Sequence, residues 1–208
     1  MDIKERIIEE ATDMFFRSGI KAITMDDIAR ELGISKRTIY ELFRDKDELL
    51  HECMAYADRK YEEERELVIM ESENAISEVF GLMRMGIYAL KTVNPLMVSD
   101  MKKYHHEIFK EVLEVGREKQ IAQIRENLRK GIRQELFREN IDVEVVSILL
   151  NAQLQIVSDD TVFPEKQFSR VVVFENVVIN FFRGISTQKG IELIDRYFEK
   201  GSNFFVTG

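Results

Sequence analysis

Residues 24–50 read TMDDIARELGISKRTIYELFRDKDELL, and this stretch carries the helix start and stop signals that decide the fold. Thr24 can cap a first helix, with Asp27 three residues later as the acidic partner of an imperfect capping box. Gly33 is predicted to end that helix, because glycine adopts the left-handed conformation of a helix C-terminus without steric cost. The stretch therefore begins with a helix of about two turns, followed at once by a tight turn.

A second and a third helix follow within the same stretch. Ser35 is placed to cap a second helix from Lys36 to about Phe43, so helix, tight turn and helix follow within about twenty residues. Asp45 is placed to cap a third helix, with Glu48 completing its capping box. This order predicts a helix-turn-helix, in which the second helix of the motif enters a DNA groove.

The polar side chains of that second helix suit a DNA groove. Its start and outer side carry charged, hydroxyl and aromatic residues, namely Lys36, Arg37, Thr38 and Tyr40. A planar guanidinium can bind guanine through two hydrogen bonds, so Arg37 is the best candidate for reading a base. Lys46, in the first turn of the third helix, gains nothing from the helix dipole there, and a nearby phosphate would explain its position.

These residues follow the pattern T-x-x-x-I-A-x-x-L-G-[IV]-S after an apolar first helix, and they resemble the DNA-binding domain of the TetR family of bacterial transcriptional regulators. The resemblance implies that Tyr40 and Lys46 contact phosphate and that Lys36 and Arg37 read bases. Glu41 departs mildly from the pattern, because it places a negative charge on the recognition helix. The hydroxyl groups of Thr24, Ser35 and Thr38 complete the predicted DNA-binding set. The residues that carry the resemblance are Thr24, Ile28, Ala29, Leu32, Gly33, Ile34, Ser35, Thr38, Ile39, Tyr40, Phe43, Lys46, Leu49 and Leu50.

The composition fits a folded globular protein and excludes a general nucleic-acid coat. Apolar residues make up 45% of the chain and charged residues 33%, which is ordinary for a protein with a sizeable core. The net charge of −8 opposes nonspecific binding, which depends on the exchange of cations over the phosphates. Positive charge is concentrated in residues 36–46, so we expect modest nonspecific affinity and dependence on a defined site.

The sequence also narrows the compartment and the class of protein. With a single cysteine, no signal peptide and no apolar run of about 18 residues, we expect a cytoplasmic protein without membrane contact. Cys53 lies among apolar helix positions, which predicts a buried structural thiol. We find no nucleophile–base pair and no phosphate-binding glycine loop, so we expect neither an enzyme nor a cofactor. His105 and His106 are consecutive on a helix and cannot both face one metal ion, so no metal site is predicted.

Aliphatic residues recur at three- and four-residue steps along the rest of the chain, which predicts an all-α fold. A first amphipathic helix ends at Ser18-Gly19 and packs with the motif helices into a three-helix DNA-binding domain, residues 1–47. A connecting helix runs from Lys46 to about Arg65. Residues 48–208 are predicted to form a larger helical domain for regulation and dimerisation.

Two very apolar segments, residues 141–157 and 168–185, are predicted to be helices that need a second surface to cover them. The second includes VVVFENVVINFF, whose β-branched residues also suit a strand, but its length of about 18 residues without a partner strand favours a helix. A homodimer would cover these apolar surfaces if both segments of each subunit formed a four-helix bundle, as the resemblance also implies. Two recognition helices held about 34 to 36 Å apart can then read both halves of a palindrome.

A small-molecule pocket in the C-terminal domain is the second predicted site, because the resemblance implies a switch that responds to an effector. Flexible thioether and aromatic side chains suit an apolar or amphipathic ligand. The same residues also make an ordinary core, and both interpretations stay open. The candidates are Phe80, Met83, Ile87, Met97, Met101 and Tyr104.

The sequence thus predicts a homodimeric, ligand-responsive transcriptional regulator, in the first place a repressor, that binds a palindromic operator in double-stranded DNA. Release follows if an effector prefers a spacing of the two DNA-binding domains that does not fit the operator. The alternative is a dimeric adaptor that binds DNA constitutively and recruits protein partners without an effector. A bound ligand in the C-terminal domain, or a fully packed interior there, distinguishes the two.

Overall fold

The computed structural model describes residues 2–201 of the chain, with side chains up to residue 197. This described part folds into ten α-helices and contains no β-strand, only an isolated antiparallel bridge between Phe137 and Ser186. The predicted all-α fold with an N-terminal helix-turn-helix is confirmed. The helices are α1 (Ile3–Ser18), α2 (Met25–Leu32), α3 (Lys36–Leu42), α4 (Lys46–Glu71), α5 (Ala75–Thr92), α6 (Pro95–Tyr104), α7 (His106–Arg133), α8 (Val143–Ile156), α9 (Arg170–Ile185) and α10 (Gln188–Gly201).

The chain forms two compact units. Unit 1 comprises Met1–Glu66 and Lys91–Val115, and unit 2 comprises Leu67–Leu90 and Gly116–Gly208. Unit 1 therefore contains more of the chain than the predicted DNA-binding domain. The predicted division after residue 47 assigns DNA binding to one part of the chain and regulation and dimerisation to the other, and it stays a prediction.

Unit 1 is built around the apolar face of α1. Ile7, Ala11 and Phe15 recur at four-residue steps and are fully buried, as the predicted amphipathic pattern requires. Burial of each such aliphatic or aromatic side chain stabilises the fold by about 1.5–3 kcal/mol. The same core includes residues from α2, α3, α4 and α6, namely Ile28, Ile39, Leu49, Leu50, Cys53, Met97 and Met101.

Cys53 is buried in this core, which confirms the predicted structural thiol. Its sulfur lies 3.6 Å from the carbonyl oxygen of Ile8, and burial raises the pKa of the thiol to about 12. Because the thiolate is the reactive form, the native protein is expected to resist a disulfide reagent such as DTNB at pH 8. The denatured chain should react rapidly and release one equivalent of chromophore. Fast reaction of the native protein would contradict the buried position.

Unit 2 is organised around the turn that follows α7. Glu135 adopts a positive φ of 60°, and the chain then turns Leu136 and Phe137 into the interior, where both are buried. The amide of Arg138 donates to the carbonyl of Ile185 at 2.9 Å, which joins this turn to the end of α9. The end of α7 and the turn that follows it therefore form part of the core of unit 2.

A glycine allows this turn to pack closely on α7. A Cβ atom built on Gly131 would lie 2.1 Å from a ring carbon of Phe137, so the phenyl ring occupies the space that any other residue would need. The Phe137 ring also packs against Phe182 of α9, with ring centroids 5.6 Å apart. The contact of Gly131 with Phe137 thus fixes where the chain turns back towards α9.

The helix boundaries differ from the prediction mainly in α4, which continues to Glu71 and not only to about Arg65. Ion pairs stabilise the charged segment just before these extra residues, with Lys60 paired to Glu63 at 3.1 Å and Arg65 paired to Glu62. The β-branched segment 168–185 forms the helix α9 over Arg170–Ile185, as predicted. In the described part of the chain, no helix is both long enough and apolar enough to span a bilayer.

Candidate nucleic-acid interface

The turn between α2 and α3 is held by the capping residues that the sequence indicated. Thr24 Oγ1 accepts a hydrogen bond from the Asp27 amide at 3.2 Å, and Asp27 accepts one from the Thr24 amide at 3.0 Å, which completes a capping box. Hydrogen bonds from Thr24 lower the pKa of the Asp27 carboxyl. Gly33 takes the left-handed conformation, with φ 65° and ψ 30°, and ends α2. The chain can therefore begin α3 within two residues.

Helix α3 has one buried side and one open side. Ser35 caps it, with Ser35 Oγ accepting a hydrogen bond from the Thr38 amide at 3.1 Å. Ile39 is fully buried and anchors the helix in unit 1. The predicted contact residues at the N-terminal end and on the outer side are exposed or half-buried: Ser35, Lys36, Arg37, Thr38 and Tyr40. Their positions match a helix that presents its N-terminal residues to a groove.

The cations of α3 are paired with nearby carboxylates on the protein surface. Lys36 Nζ lies 2.6 Å from Asp26 Oδ1 of α2, and Arg37 Nε lies 2.8 Å from Glu41 Oε1 one turn along α3. Both pairs are solvent-exposed, and exposed pairs contribute only about 0–1 kcal/mol. DNA can therefore replace either carboxylate at small cost.

Lys46 has a setting that sequence reasoning missed. Its ammonium donates to the carbonyl oxygens of Ile20 and Ile23 in the loop between α1 and α2, and it lies 5.6 Å from the centroid of the Phe15 ring. Partial burial lowers the pKa of Lys46. A cation at the positive end of a helix indicates an acceptor close by. For Lys46, the carbonyl oxygens of Ile20 and Ile23 are such acceptors. An ammonium has three donors, so one remains for a phosphate.

The start of α4 differs slightly from the predicted capping box. Asp45 Oδ1 accepts from the Glu48 amide at 2.9 Å, as predicted. Glu48 accepts instead from the amide of Arg44, at 2.7 Å, one residue before the expected donor. The side chain of Arg44 is paired with Asp45 at 2.8 Å.

Helix α6 packs against the loop between α1 and α2, an arrangement with no signal in the sequence. Asp100 Oδ2 accepts a hydrogen bond from the Lys21 amide at 2.7 Å. The side-chain amide of Asn94 donates to the Arg17 carbonyl at 2.9 Å, and its backbone amide donates to the Phe16 carbonyl at 2.8 Å. Unit 1 is thus a helix-turn-helix buttressed by α6, a helix that lies far away in sequence.

The structure divides the six predicted ligand-binding residues between the two units. Met97 and Met101 are buried in the core of unit 1, beside the helix-turn-helix. Tyr104 is 47% exposed on the surface of unit 1. The remaining three, Phe80, Met83 and Ile87, belong to the core of unit 2. Only these last three come together in the larger helical unit.

A small cavity lies in the interior of unit 2. Its volume is about 10 Å³, which is close to the minimum that admits one water molecule. Phe80 and Met83 line it, whereas Ile87 does not. Phe80 also stacks on Tyr197 of α10, with ring centroids 4.9 Å apart. The other lining residues are Ile76, Val79, Val178, Ile179, Phe182 and Ile194.

The helix-turn-helix matches a known protein family. Residues 7–53 match the family of bacterial regulatory proteins described as the tetR family. Residues 7–53 therefore form a helix-turn-helix of the tetR type. The HTH-type transcriptional regulator YvaF of Bacillus subtilis is similar along most of its length, with 25% identity over 186 residues, covering 89% of this chain and 96% of that relative. An HTH-type transcriptional regulator of Staphylococcus aureus is 42% identical over 48 residues, but these cover only 26% of its length.

Solved structures share the fold along most of the chain. A transcriptional regulator from Cytophaga hutchinsonii aligns with a TM-score of 0.73 at 19% identity, covering 88% of this chain and 98% of that one. A protein from Saccharomonospora viridis, solved in complex with choline, aligns with a TM-score of 0.70 at 19% identity, covering 89% and 98%. At this identity the likeness concerns the fold, while the family match rests on the helix-turn-helix.

Proposed function

We propose that this protein is a TetR-family regulator, a ligand-responsive repressor that binds a palindromic operator as a homodimer. The observation that carries the proposal is the outer side of α3, where Lys36, Arg37 and Tyr40 are exposed while Ile39 anchors the helix. A capped helix of this kind places its first turn in the major groove, and a second copy reads the other half-site.

Within this proposal, DNA replaces the surface carboxylates that now pair with the cations of α3. Arg37 leaves Glu41 and forms two hydrogen bonds with a guanine edge, a contact that discriminates by about 1–3 kcal/mol. Lys36 leaves Asp26 and approaches bases or phosphate.

The phenol of Tyr40 donates to phosphate. Ser35 and Thr38 share one hydrogen bond at 2.8 Å, so one hydroxyl of this pair keeps a proton for phosphate. The Thr24 hydroxyl donates to Asp27 Oδ2 at 2.6 Å and would have to leave that carboxylate first.

Lys46 would contact phosphate with the one ammonium donor that the Ile20 and Ile23 carbonyls leave available. The two carbonyls hold this cation at one edge of the helix-turn-helix. Lys46→Ala should therefore weaken binding to all DNA sequences alike and flatten its salt dependence. The same change leaves two loop carbonyls without their donor, so lower thermal stability should accompany it.

The homodimer is supported by an apolar surface on α8 and α9. Single exposed apolar residues are normal on proteins, but a set on adjacent helices indicates an interface. Leu149 is 50% exposed and Val172 is 53% exposed in the single chain. Such a surface fits the four-helix bundle proposed for residues 141–157 and 168–185. The other exposed apolar residues of these helices are Val145, Ile148 and Ile156.

An effector site is supported by the cavity in unit 2 and by the choline complex of the structurally similar S. viridis protein. Phe80 and Met83 line the cavity, and both side chains suit an apolar or amphipathic ligand. The cavity volume of about 10 Å³ is far below the volume of a typical ligand pocket, which is several hundred Å³. Effector binding would therefore require the lining side chains to move, and this coupling would shift the dimer away from DNA.

The direct test is selection of bound sequences from random duplex DNA at near-physiological salt, followed by footprinting of the enriched sequence. An inverted repeat protected on both half-sites is the expected result. Weak, salt-sensitive binding without enrichment would refute specific operator recognition. The enriched duplex then serves in a screen for molecules that release it.

Arg37→Ala is expected to weaken binding to the selected operator by about 1–3 kcal/mol and to relax specificity at one base position. The reason is the loss of the two hydrogen bonds to guanine, while contacts with phosphate remain. Fluorescence anisotropy on selected and random duplexes measures the difference. Arg59→Ala, an exposed arginine of α4, removes the same charge away from the interface and is the control. Equal loss on both duplexes would contradict base reading by Arg37.

The small volume of the cavity also supports the alternative, a constitutive DNA-binding adaptor without an effector. An adaptor needs no internal space, and its partners bind on the outside. A thermal-shift screen of small molecules separates the two functions. A ligand that raises the melting temperature and releases operator DNA supports the repressor. Operator binding that no ligand changes, together with capture of a defined protein partner, supports the adaptor.

A further inference from the structure

Two lysines and a tyrosine form a cationic cluster on unit 1, outside the helix-turn-helix. Lys21 Nζ lies 3.5 Å from Tyr104 Oη and 5.3 Å from the centroid of its ring. Lys103 Nζ lies 5.2 Å from the same centroid. Tyr104 is about half exposed, so both ammonium groups and the phenol can be reached from solvent.

Among the residues that the structure describes, no ion pair neutralises the charge of this cluster. The cations of α3 each have a carboxylate within 3 Å, as described for Lys36 and Arg37. In the described part of the chain, neither Lys21 nor Lys103 has a carboxylate within ion-pair distance of its ammonium. Asp100 of α6 accepts a hydrogen bond from the backbone amide of Lys21. The ammonium groups of Lys103 and Lys21 also lower the pKa of Tyr104.

The cluster lies beside residues proposed to contact phosphate. Lys21 is in the loop between α1 and α2, three residues before Thr24. The ammonium of Lys46 binds the carbonyls of Ile20 and Ile23, which are on either side of Lys21 in the same loop. The bond from the Lys21 amide to Asp100 holds α6, and with it Lys103 and Tyr104, against this loop.

We propose that Lys21, Lys103 and Tyr104 bind a backbone phosphate of the DNA that flanks each half-site. The two ammonium groups supply charge, and the phenol donates its O–H to a phosphate oxygen while its oxygen accepts from Lys21. This contact extends the DNA surface from the helix-turn-helix to α6. It carries no base information and sets affinity and register. It rests on the proposed operator binding, because a flanking phosphate is reached only when α3 is in the groove.

The test compares Lys21→Gln and Lys103→Gln with Lys102→Gln in the full-length protein. Lys102 is the exposed neighbour of Lys103 on α6, so its substitution removes the same charge from the same turn. Glutamine at position 21 keeps the backbone bond to Asp100. Affinity for the selected operator is measured by anisotropy between 0.1 and 1 M salt, and circular dichroism checks that each variant is folded.

Each cluster variant is expected to bind about five- to tenfold more weakly at 0.1 M salt and to flatten the slope of log K against log salt by about one. Lys102→Gln should change the affinity less than twofold. A duplex with a neutral methylphosphonate at the flanking position should abolish the difference between wild type and cluster variants. Equal effects of all three substitutions, or no effect of any, would overturn the proposed phosphate contact of the cluster while leaving the proposed operator binding intact. Failure of the wild-type protein to select an operator would overturn both proposals.

Discussion

Ile148→Asp in α8 is expected to turn the proposed homodimer into a monomer and to lower affinity for a palindromic operator on the order of 10²–10⁴-fold. The substitution would bury a carboxylate in an apolar interface, which is unfavourable without a partner. The monomer also loses the high effective concentration of the second DNA-binding domain once the first is bound. Because Ile148 is 46% exposed in the single chain, the core of unit 2 should remain folded.

Sedimentation velocity and operator titration measure the two effects of Ile148→Asp. Affinity for an isolated half-site should stay unchanged, because α3 is untouched. Met70→Asp is the matched control, since Met70 is 82% exposed in α4 and lies outside the proposed interface. A variant that remains dimeric and keeps its operator affinity would show that α8 does not form the interface.

Phe137→Ala is expected to destabilise the protein by about 3–5 kcal/mol, because a fully buried phenyl ring leaves a cavity between α7 and α9. Gly131→Ala should destabilise by about 1–3 kcal/mol, since its Cβ would overlap the Phe137 ring. In most helices this change stabilises by about 1 kcal/mol. Whether Gly131→Ala stabilises or destabilises the protein therefore depends on the Phe137 ring. Unfolding in guanidinium chloride measures both changes in the free energy of unfolding.

A double-mutant cycle isolates the contact between these two residues. In the Phe137→Ala background, Gly131→Ala should become neutral or stabilising, because the ring that opposed the methyl group is gone. Gly116→Ala is the control in α7, where an added Cβ meets nothing within 4 Å, and it should stabilise by about 0.5–1 kcal/mol in either background. Additive losses for Gly131 and Phe137 would refute the steric account.

The helix-turn-helix could be predicted from sequence because its signals are local. Caps such as Thr24 and Ser35 and the left-handed Gly33 act within four residues of themselves, so spacing alone determines the turn. The helical state of α9 was also predicted despite its β-branched residues, since its length favoured a helix. These features need no knowledge of distant neighbours.

The setting of Lys46, the position of α6 and the division of the ligand candidates could not be predicted in the same way. Each depends on contacts between residues far apart in sequence, such as Lys21 with Asp100. Met97 and Met83 both lie on apolar helix stripes, yet they enter the cores of different units. Periodicity identifies the buried face of a helix and does not identify its partner.

Under the proposed DNA binding, the pair between Arg37 and Glu41 affects how quickly the protein searches a genome. Any stretch of duplex offers phosphates to a free guanidinium, and each such contact prolongs a stop at an irrelevant sequence. Glu41 competes with those contacts at 2.8 Å from Arg37, and only a guanine edge with two well-placed acceptors offers a better arrangement. The recognition helix should therefore spend short times on random DNA and long times on its own site, because one carboxylate on the same helix competes with phosphates for Arg37.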